Sequence, residues 1–373
     1  MQDDVRIPVR YNNVPCYDII LADNFSFIET ELTQFYLTNR KVAIVTDSNV
    51  SKYHAKALEK LLTNVAKEVF VYTFTAGEEN KNLSTVQALY EYLIQHSFDR
   101  NDVLFALGGG VVGDLTGFTA ATYLRGIRFF QVPTSLLAMV DSSIGGKTGV
   151  DFSAYKNMVG AFYMPAGVYM NLSTLHSLPN KEYMSGMGEI IKHGLIKDAQ
   201  YYNWLTSNVS QIKKREIDTV LPMVRRSCEI KREVVENDPK EQGERALLNF
   251  GHSIGHAVEK LMNFRLLHGE CVAIGMIGAA YISMQRYMIS KEEFEHIVAT
   301  IQTFELPTSI TGLSVEDIIA VMSKDKKVDA GTIKFVLLHG IGNAVIDTTV
   351  STMEMKQAIE YLSRKNDRGL TII

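Results

Sequence analysis

The chain has 373 residues, 46% hydrophobic and 21% charged, enough to bury a substantial core and to build two domains. A formal net charge of −4 gives no electrostatic case for nucleic acid or an anionic membrane surface as partner, although local basic clusters can still hold small anions. Three widely separated cysteines, Cys16, Cys228 and Cys271, form no CxxC pair, so neither a disulfide framework nor a cysteine zinc site is expected, and a reducing cytoplasm fits.

The N-terminal MQDDVRIPVRYNN carries no apolar h-region. The apolar run CVAIGMIGAAYISM is too short to span a bilayer, so neither secretion nor membrane insertion is expected. In chain order, the β-rich runs KVAIVTD, EVFVYTF, DVLFALGGG and FFQVPTS are interleaved with the helical patterns HAKALEKLLTNV and LSTVQALYEYLIQHSF. That alternation predicts βαβ units on a parallel sheet. After Leu178 the pattern changes: EYMSGMGEIIKHGLI, TVLPMVRRSCEIKREVVEN, GHSIGHAVEKLM, VAIGMIGAAYISMQRYM and KEEFEHIVATIQTF all repeat at helical spacing. The next strand candidate is IKFVLLHGIG. The expected architecture is a Rossmann-like α/β domain over 1–177 and a mainly α-helical domain over 178–373, packed around a cleft.

LFALGGGVVGD places Gly108, Gly110 and Gly113 at GxGxxG spacing between a strand and a helix, where backbone N–H groups can meet a pyrophosphate. No acidic residue follows at the usual offset, so Asp47, which ends the earlier run KVAIVTD, is the candidate for a ribose. VDSSIGGKTGVD, between Asp141 and Asp151, reads as one Ser/Gly loop with Lys147, suited to a phosphate although it is not a Walker A sequence. Lys156 and Asn157 follow at once and extend the anion site. In RALLNFGHSIGH, the spacing of Arg245, Asn249, His252 and His256 predicts one shared helix face. By spacing alone, His252 and His256 are the first metal candidates, with a carboxylate from another helix; His268, His193 and Glu189 are further candidates.

GGGVVGDLTGFTAATYLRGIRFFQVPTSLLAMVDSSIGGKTGVD, KNMVGAFYMP, GMGEIIKHG, RALLNFGHSIGHAVE, HGECVAIGM and SKDKK together resemble the 3-dehydroquinate synthases, within the sugar phosphate cyclases. The resemblance runs from AGEENK to GIGNA, most of the chain. It implies a cytoplasmic homodimer with an N-terminal NAD-binding domain and a helical metal-binding domain, using Zn²⁺ or Co²⁺, with the active site between the domains. The implied reaction converts 3-deoxy-D-arabino-heptulosonate 7-phosphate to 3-dehydroquinate and phosphate, through transient oxidation by NAD, phosphate elimination, re-reduction and aldol closure.

Position by position, the resemblance implies Glu189, His252 and His268 as metal ligands, which displaces His256 from that role. It places His256 with Glu241 near the phosphate and the proton transfers. Arg245, Asn249, Lys192, Lys231, Lys147, Asn157, Asp141 and one lysine of DKK, Lys326 rather than Lys327, fall on substrate-contacting positions. Arg125 matches an arginine that reaches the partner subunit's phosphate site. For NAD it implies Asp47, Asn49, Glu78, Lys81, Gly109, Gly110, Val111, Asp114, Thr134, Ser135, Lys147, Lys156, Thr174 and Ser177. Asn171 stands where the family usually has an aspartate, and His176 and Asn180 vary a usually tighter segment. Three other readings compete: a sister cyclase making an inosose or valiolone, a metal-dependent polyol dehydrogenase, and an inactive NAD-binding regulator. DSSIGGKTGVD, ALLNFGH and Lys231 argue against the first, while the phosphate cluster would have no purpose in the second and cationic groups in a cleft no purpose in the third.

Overall fold

The computed structural model describes residues 5–153, 155–239, 241, 243–263, 265–323, 328–329 and 332–363. Two compact units emerge: Met1–Tyr183 with Arg215–Pro239, and Met184–Lys214 with Lys240–Ile373.

The first unit is built on a seven-stranded sheet. Its strands are β1 (Val5–Tyr11), β2 (Val14–Ala22), β3 (Lys41–Asp47), β4 (Glu68–Phe74), β5 (Val103–Gly108), β6 (Arg128–Pro133) and, after a separate hairpin of β7 (Lys147–Phe152) and β8 (Tyr155–Phe162), β9 (Val168–Asn171). The order across the sheet is β1-β2-β9-β6-β5-β3-β4, with only the β1–β2 pair antiparallel. β5, VLFALG, is buried at every position, as a strand covered on both faces must be. Alternation splits its side chains: Val103, Phe105 and Leu107 join one core with Val42 and Ile44, and Leu104 and Ala106 join the other with Ala43 and Val45. The chain runs from β3 outward to β4 and then crosses back to β5 on the other side of β3. The carboxyl ends of β3 and β5 therefore form the switch point where α/β sheets bind ligands.

Three pieces of this unit depart from the sequence reading. The N-terminal hairpin and the β7–β8 hairpin were not predicted, and VDSSIGGKTGVD is not one loop: a π-turn at Ala138–Ser142 is followed by β7 from Lys147, which pairs with Phe162. Glycine-rich composition hid that strand, but at Gly149 and Gly160 any side chain would strike the backbone of the opposite strand, so the composition is what the tight pairing requires. Helix Ile217–Asn237 also packs in this unit, where Glu236 accepts a hydrogen bond from the Arg10 amide at 2.6 Å.

The second unit is helical, with two short hairpins among its described residues, Val328–Asp329 with Thr332–Ile333 and Phe335–Leu338 with Ala344–Asp347. Its axis is helix His268–Gln285, apolar on all sides and buried along most of its length. Helices Asn180–Lys197 and His252–Leu261 approach it backbone to backbone. A Cβ at Gly269 would lie 1.8 Å from the Ser185 carbonyl oxygen, and one at Gly275 would lie 1.7 Å from that of Gly251. Only glycine permits this spacing. None of the described helices is long and apolar enough to cross a membrane.

Candidate functional site

In the second unit the close helix packing gathers three donors. Glu189 projects from helix Asn180–Lys197, while His252 and His268 are the first residues of their helices. Glu189 Oε1 lies 3.8 Å from His252 Nε2 and 3.6 Å from His268 Nε2. The three donor atoms are all within 4.8 Å of one another. A tetrahedral zinc ion with ligands about 2.0–2.2 Å away holds its donors about 3.4 Å apart, so the set fits a divalent cation with a coordination position left for substrate. Glu189 is fully buried, and its Oε2 accepts a short hydrogen bond from the equally buried Lys192 ammonium one turn on. Burial disfavours the His268 imidazolium, but Glu189 and Glu259 outweigh it and hold the ring up to about 10. A cation entering the site has to displace that proton.

The expected single helix face from Arg245 to His256 does not form. Glu244–Asn249 is a 3₁₀ turn, and Gly251, at φ +80, breaks the chain before helix His252–Leu261 begins. The left-handed residue is forced by packing, since a Cβ at Gly251 would meet the Val272 carbonyl oxygen at 2.7 Å. The break lets His252 turn inward at a helix start, with Nδ1 3.1 Å from the Phe250 carbonyl oxygen, so that Nδ1–H donates there and Nε2 keeps its lone pair for the cation site. His256, one turn later, groups instead with Glu259 and His268. Asn249 Nδ2 donates to Glu241 Oε1 at 2.9 Å, and Arg245 is buried. Lys326 and Lys327 lie outside the described residues.

In the first unit, Gly109 caps helix Gly110–Thr122 at the end of β5. Gly108 and Gly113 serve packing: a Cβ at either would overlap Val112 or the Gln131 amide. At Gly109 and Gly110 the nearest atoms are the hydroxyl oxygens of Ser135 and Ser142, at 3.4 and 3.1 Å, so the helix N-terminus presents an open, hydroxyl-lined cradle that a side chain would fill. This suits a pyrophosphate. Val111 follows in the first turn, and the Thr134 amide donates to the Gly108 carbonyl at 2.9 Å. Asp47 ends β3, the strand beside β5, and its Oδ1 accepts from the amides of Asn49 and Val50.

Next to the cradle is a dense charge cluster. The Lys81 ammonium donates to Asp114 at 2.7 Å and to Asn157 Oδ1 at 2.6 Å. Lys156 lies 3.3 Å from Glu78. Burial works against the Lys81 ammonium, but Asp114 and Glu78 outweigh it and hold its pKa above the ordinary lysine value. Asp151 ties the cluster to β7 by accepting from the Asn157 amide at 2.8 Å. Lys147 starts β7 and is exposed, and Lys231 on helix Ile217–Asn237 donates to the carbonyl and carboxylate of Asp141. Arg125 is also exposed, in a turn where both Leu124 and Arg125 have positive φ, 50° and 67°. Asn171 accepts from the Ser173 amide at 3.0 Å, a capping role asparagine and aspartate fill equally. Thr174 and Ser177 follow in that turn, where Ser177 Oγ lies 2.8 Å from His54 Nε2.

Two residues escaped the sequence reading as participants. By sequence Asp151 only ends the Ser/Gly loop. Glu259 carried a usable signal, seven residues after His252 and three after His256, hence on their helix face.

The chain matches the family models of the 3-dehydroquinate synthase N-terminal region over residues 71–185 and C-terminal region over 186–328. It is 44% identical to a 3-dehydroquinate synthase of Acetivibrio thermocellus over 339 residues, 91% of this chain and 94% of that one. It is 43% identical to one of Acidithiobacillus ferrooxidans over 91% of this chain and 92% of that one. Among solved structures, 2-epi-5-epi-valiolone synthase from Streptomyces hygroscopicus, with NAD⁺ and Zn²⁺ bound, superposes with a TM-score of 0.86 at 26% identity, covering 93% of this chain and 96% of that one. A 2-deoxy-scyllo-inosose synthase complexed with carbaglucose-6-phosphate, NAD⁺ and Co²⁺ has the same fold, with a TM-score of 0.87 at 23% identity over 96% of this chain and 100% of that one. The chain belongs to the 3-dehydroquinate synthase family.

Proposed function

We propose that the protein is a 3-dehydroquinate synthase, a phosphate-eliminating carbon–oxygen lyase that converts 3-deoxy-D-arabino-heptulosonate 7-phosphate to 3-dehydroquinate. The observation that carries this reading is identity of 42–44% with synthases of that name over about nine-tenths of the chain. When bound, NAD supplies a reversible hydride acceptor for a substrate hydroxyl and a Zn²⁺ or Co²⁺ ion polarises the adjacent oxygens.

The chain's own residues do the rest. Gly109, Gly110, Val111, Thr134 and Ser135 offer backbone and hydroxyl groups to the dinucleotide phosphates, and Asp47, steadied by two amides, accepts a ribose hydroxyl. Asn49, Glu78, Lys81, Asp114, Lys156, Thr174 and Ser177 complete that site. Glu189, His252 and His268 hold the metal, and Lys192 neutralises the buried Glu189 carboxylate while meeting a substrate oxygen. Lys231, Arg245, Asn249 and Lys326 meet the substrate's carboxylate and hydroxyls, and Asp141 orients Lys231. Lys147, Asn157 and Arg125 bind the phosphate. Because Asn157 Oδ1 accepts from Lys81, its Nδ2 is the end that donates to an anion. His256 and Glu241 handle protons beside the leaving phosphate.

A homodimer belongs to the proposal, with Arg125 reaching the partner's phosphate site. The β7–β8 hairpin supports it, since Phe152, Tyr155, Met158 and Phe162 leave an exposed apolar face that self-association would cover. A cytoplasmic location is proposed on the absence of an expected disulfide framework.

The test supplies the heptulosonate phosphate, substoichiometric NAD⁺ and Zn²⁺, and follows phosphate and NADH together. Phosphate release without lasting NADH, with a product that dehydrates to an enone, is the expected result. NADH in step with turnover would make the protein a polyol dehydrogenase, and turnover only of other sugar phosphates would make it a sister cyclase.

A further inference from the structure

Glu259 is a buried carboxylate, 5% exposed, on helix His252–Leu261. Its Oε2 lies 3.7 Å from Nδ1 of His268, while the opposite nitrogen of that ring faces Glu189 Oε1 at 3.6 Å. His268 thus stands between two carboxylates, one on each nitrogen. An imidazole that ligates through Nε2 must carry its proton on Nδ1, and a proton there needs an acceptor. His252 has one in the Phe250 carbonyl, 3.1 Å from its Nδ1. His268 opens its helix, and Glu259 occupies the equivalent position beside its Nδ1.

We propose that Glu259 is the positioning residue of the metal site: its carboxylate fixes the Nδ1–H tautomer and ring orientation of His268, so that Nε2 is aimed at the cation. The proposal rests on the reading that Glu189, His252 and His268 hold the metal. Glu259 itself, on this account, touches neither metal nor substrate. The competing use of the same atoms is a second cation site, because His256, Glu259 and His268 also bring donor atoms within 4.8 Å of one another.

The test uses the full-length protein and Zn²⁺ alone, with affinity read by chelator competition, content by elemental analysis, and the visible spectrum of the Co²⁺-loaded form as a report on ligand geometry. Glu259→Gln keeps an acceptor for Nδ1–H, and Glu259→Met fills a similar volume without one. The expected result is zinc binding about 10–100-fold weaker in Glu259→Met with a changed Co²⁺ spectrum, and substantial recovery of both in Glu259→Gln. Metal-free Glu259→Met should melt no lower than the metal-free parent, which separates positioning from a structural role. Zinc affinity in Glu259→Met within about twofold of the parent, Gln no better than Met, or two ions per parent chain lost to one in both variants would each overturn the proposal. His268→Ala, measured alongside, tests the underlying reading: full zinc content in that variant would remove the metal assignment itself, whereas loss in His268→Ala with no change in Glu259→Met would remove only the role of Glu259.

Discussion

Gly275→Ala tests whether helix spacing builds the metal site. The added Cβ would lie 1.7 Å from the Gly251 carbonyl oxygen and 2.9 Å from the Gly255 amide nitrogen, both backbone atoms that no rotamer change can move. Relief requires helices His252–Leu261 and His268–Gln285 to part by about 1.3 Å, which brings the oxygen only to the shortest separation real side chains tolerate. Overpacking of this kind costs about 3 kcal/mol, the upper end of the usual range because the obstacle is backbone. For a unit of this size that is a fall in melting temperature of about 6–12 °C. The same movement separates His252 from His268, so zinc binding should weaken at least about tenfold. Gly312→Ala is the comparison: unlike the helical Gly275 it has positive φ, +76, but open space around the new Cβ. It should cost about 1 kcal/mol and leave zinc affinity unchanged. Melting scans of the metal-free proteins and chelator competition read both effects. If Gly275→Ala melts within about 2 °C of the parent and binds zinc equally, backbone contact does not set the donor spacing.

In the first unit, Lys81→Met strands the Asp114 carboxylate beside an apolar side chain. It should cost about 3 kcal/mol in urea unfolding and weaken NAD binding, with Asp114→Asn in the same protein recovering part of the stability. Arg286 clamps Glu354 at 2.5 and 2.9 Å, and that hydrogen-bonded pair holds the Glu354 carboxyl down at about 2 against an ordinary 4.5. A depressed carboxylate stabilises above its unfolded value, so Glu354→Gln should cost about 1 kcal/mol at pH 7, and the deficit should shrink as pH falls from about 5 toward 2. A deficit that does not change with pH would reject the ion pair as its source. Phe162→Asp on the exposed hairpin face should convert a dimer to a monomer by light scattering, while a parent protein already monomeric at micromolar concentration removes the dimer proposal.

Much of this molecule is legible in its sequence. β3, β5 and β6 show as short, mostly apolar runs because strands buried on both faces need apolar side chains at most positions, and that requirement is local. The helices of the second half show for the same reason, through a period set by backbone geometry. Long motifs such as GMGEIIKHG and RALLNFGHSIGHAVE name the family, because the chemistry demands particular side chains at particular intervals. Their spacing misleads on geometry, however: His252 and His256 sit one turn apart, yet it is His268, sixteen positions after His252, that shares Glu189 with it.

What tertiary structure alone decided has one physical cause: it depends on which backbones touch. The β7–β8 hairpin was hidden by glycines that exist to let its strands close, and the helix face expected from Arg245 to His256 was broken by a left-handed Gly251 pressed against Val272. Asp47 comes beside the glycine turn only because β3 and β5 are neighbours in the sheet, though 55 residues separate the end of one from the start of the other. Glu259 shares a helix face with His252 and His256 by spacing, but its place against His268 depends on a second helix. Residue chemistry and local period are written along the chain, whereas the meeting of distant backbones is settled by packing, where a single missing Cβ decides how near two helices come.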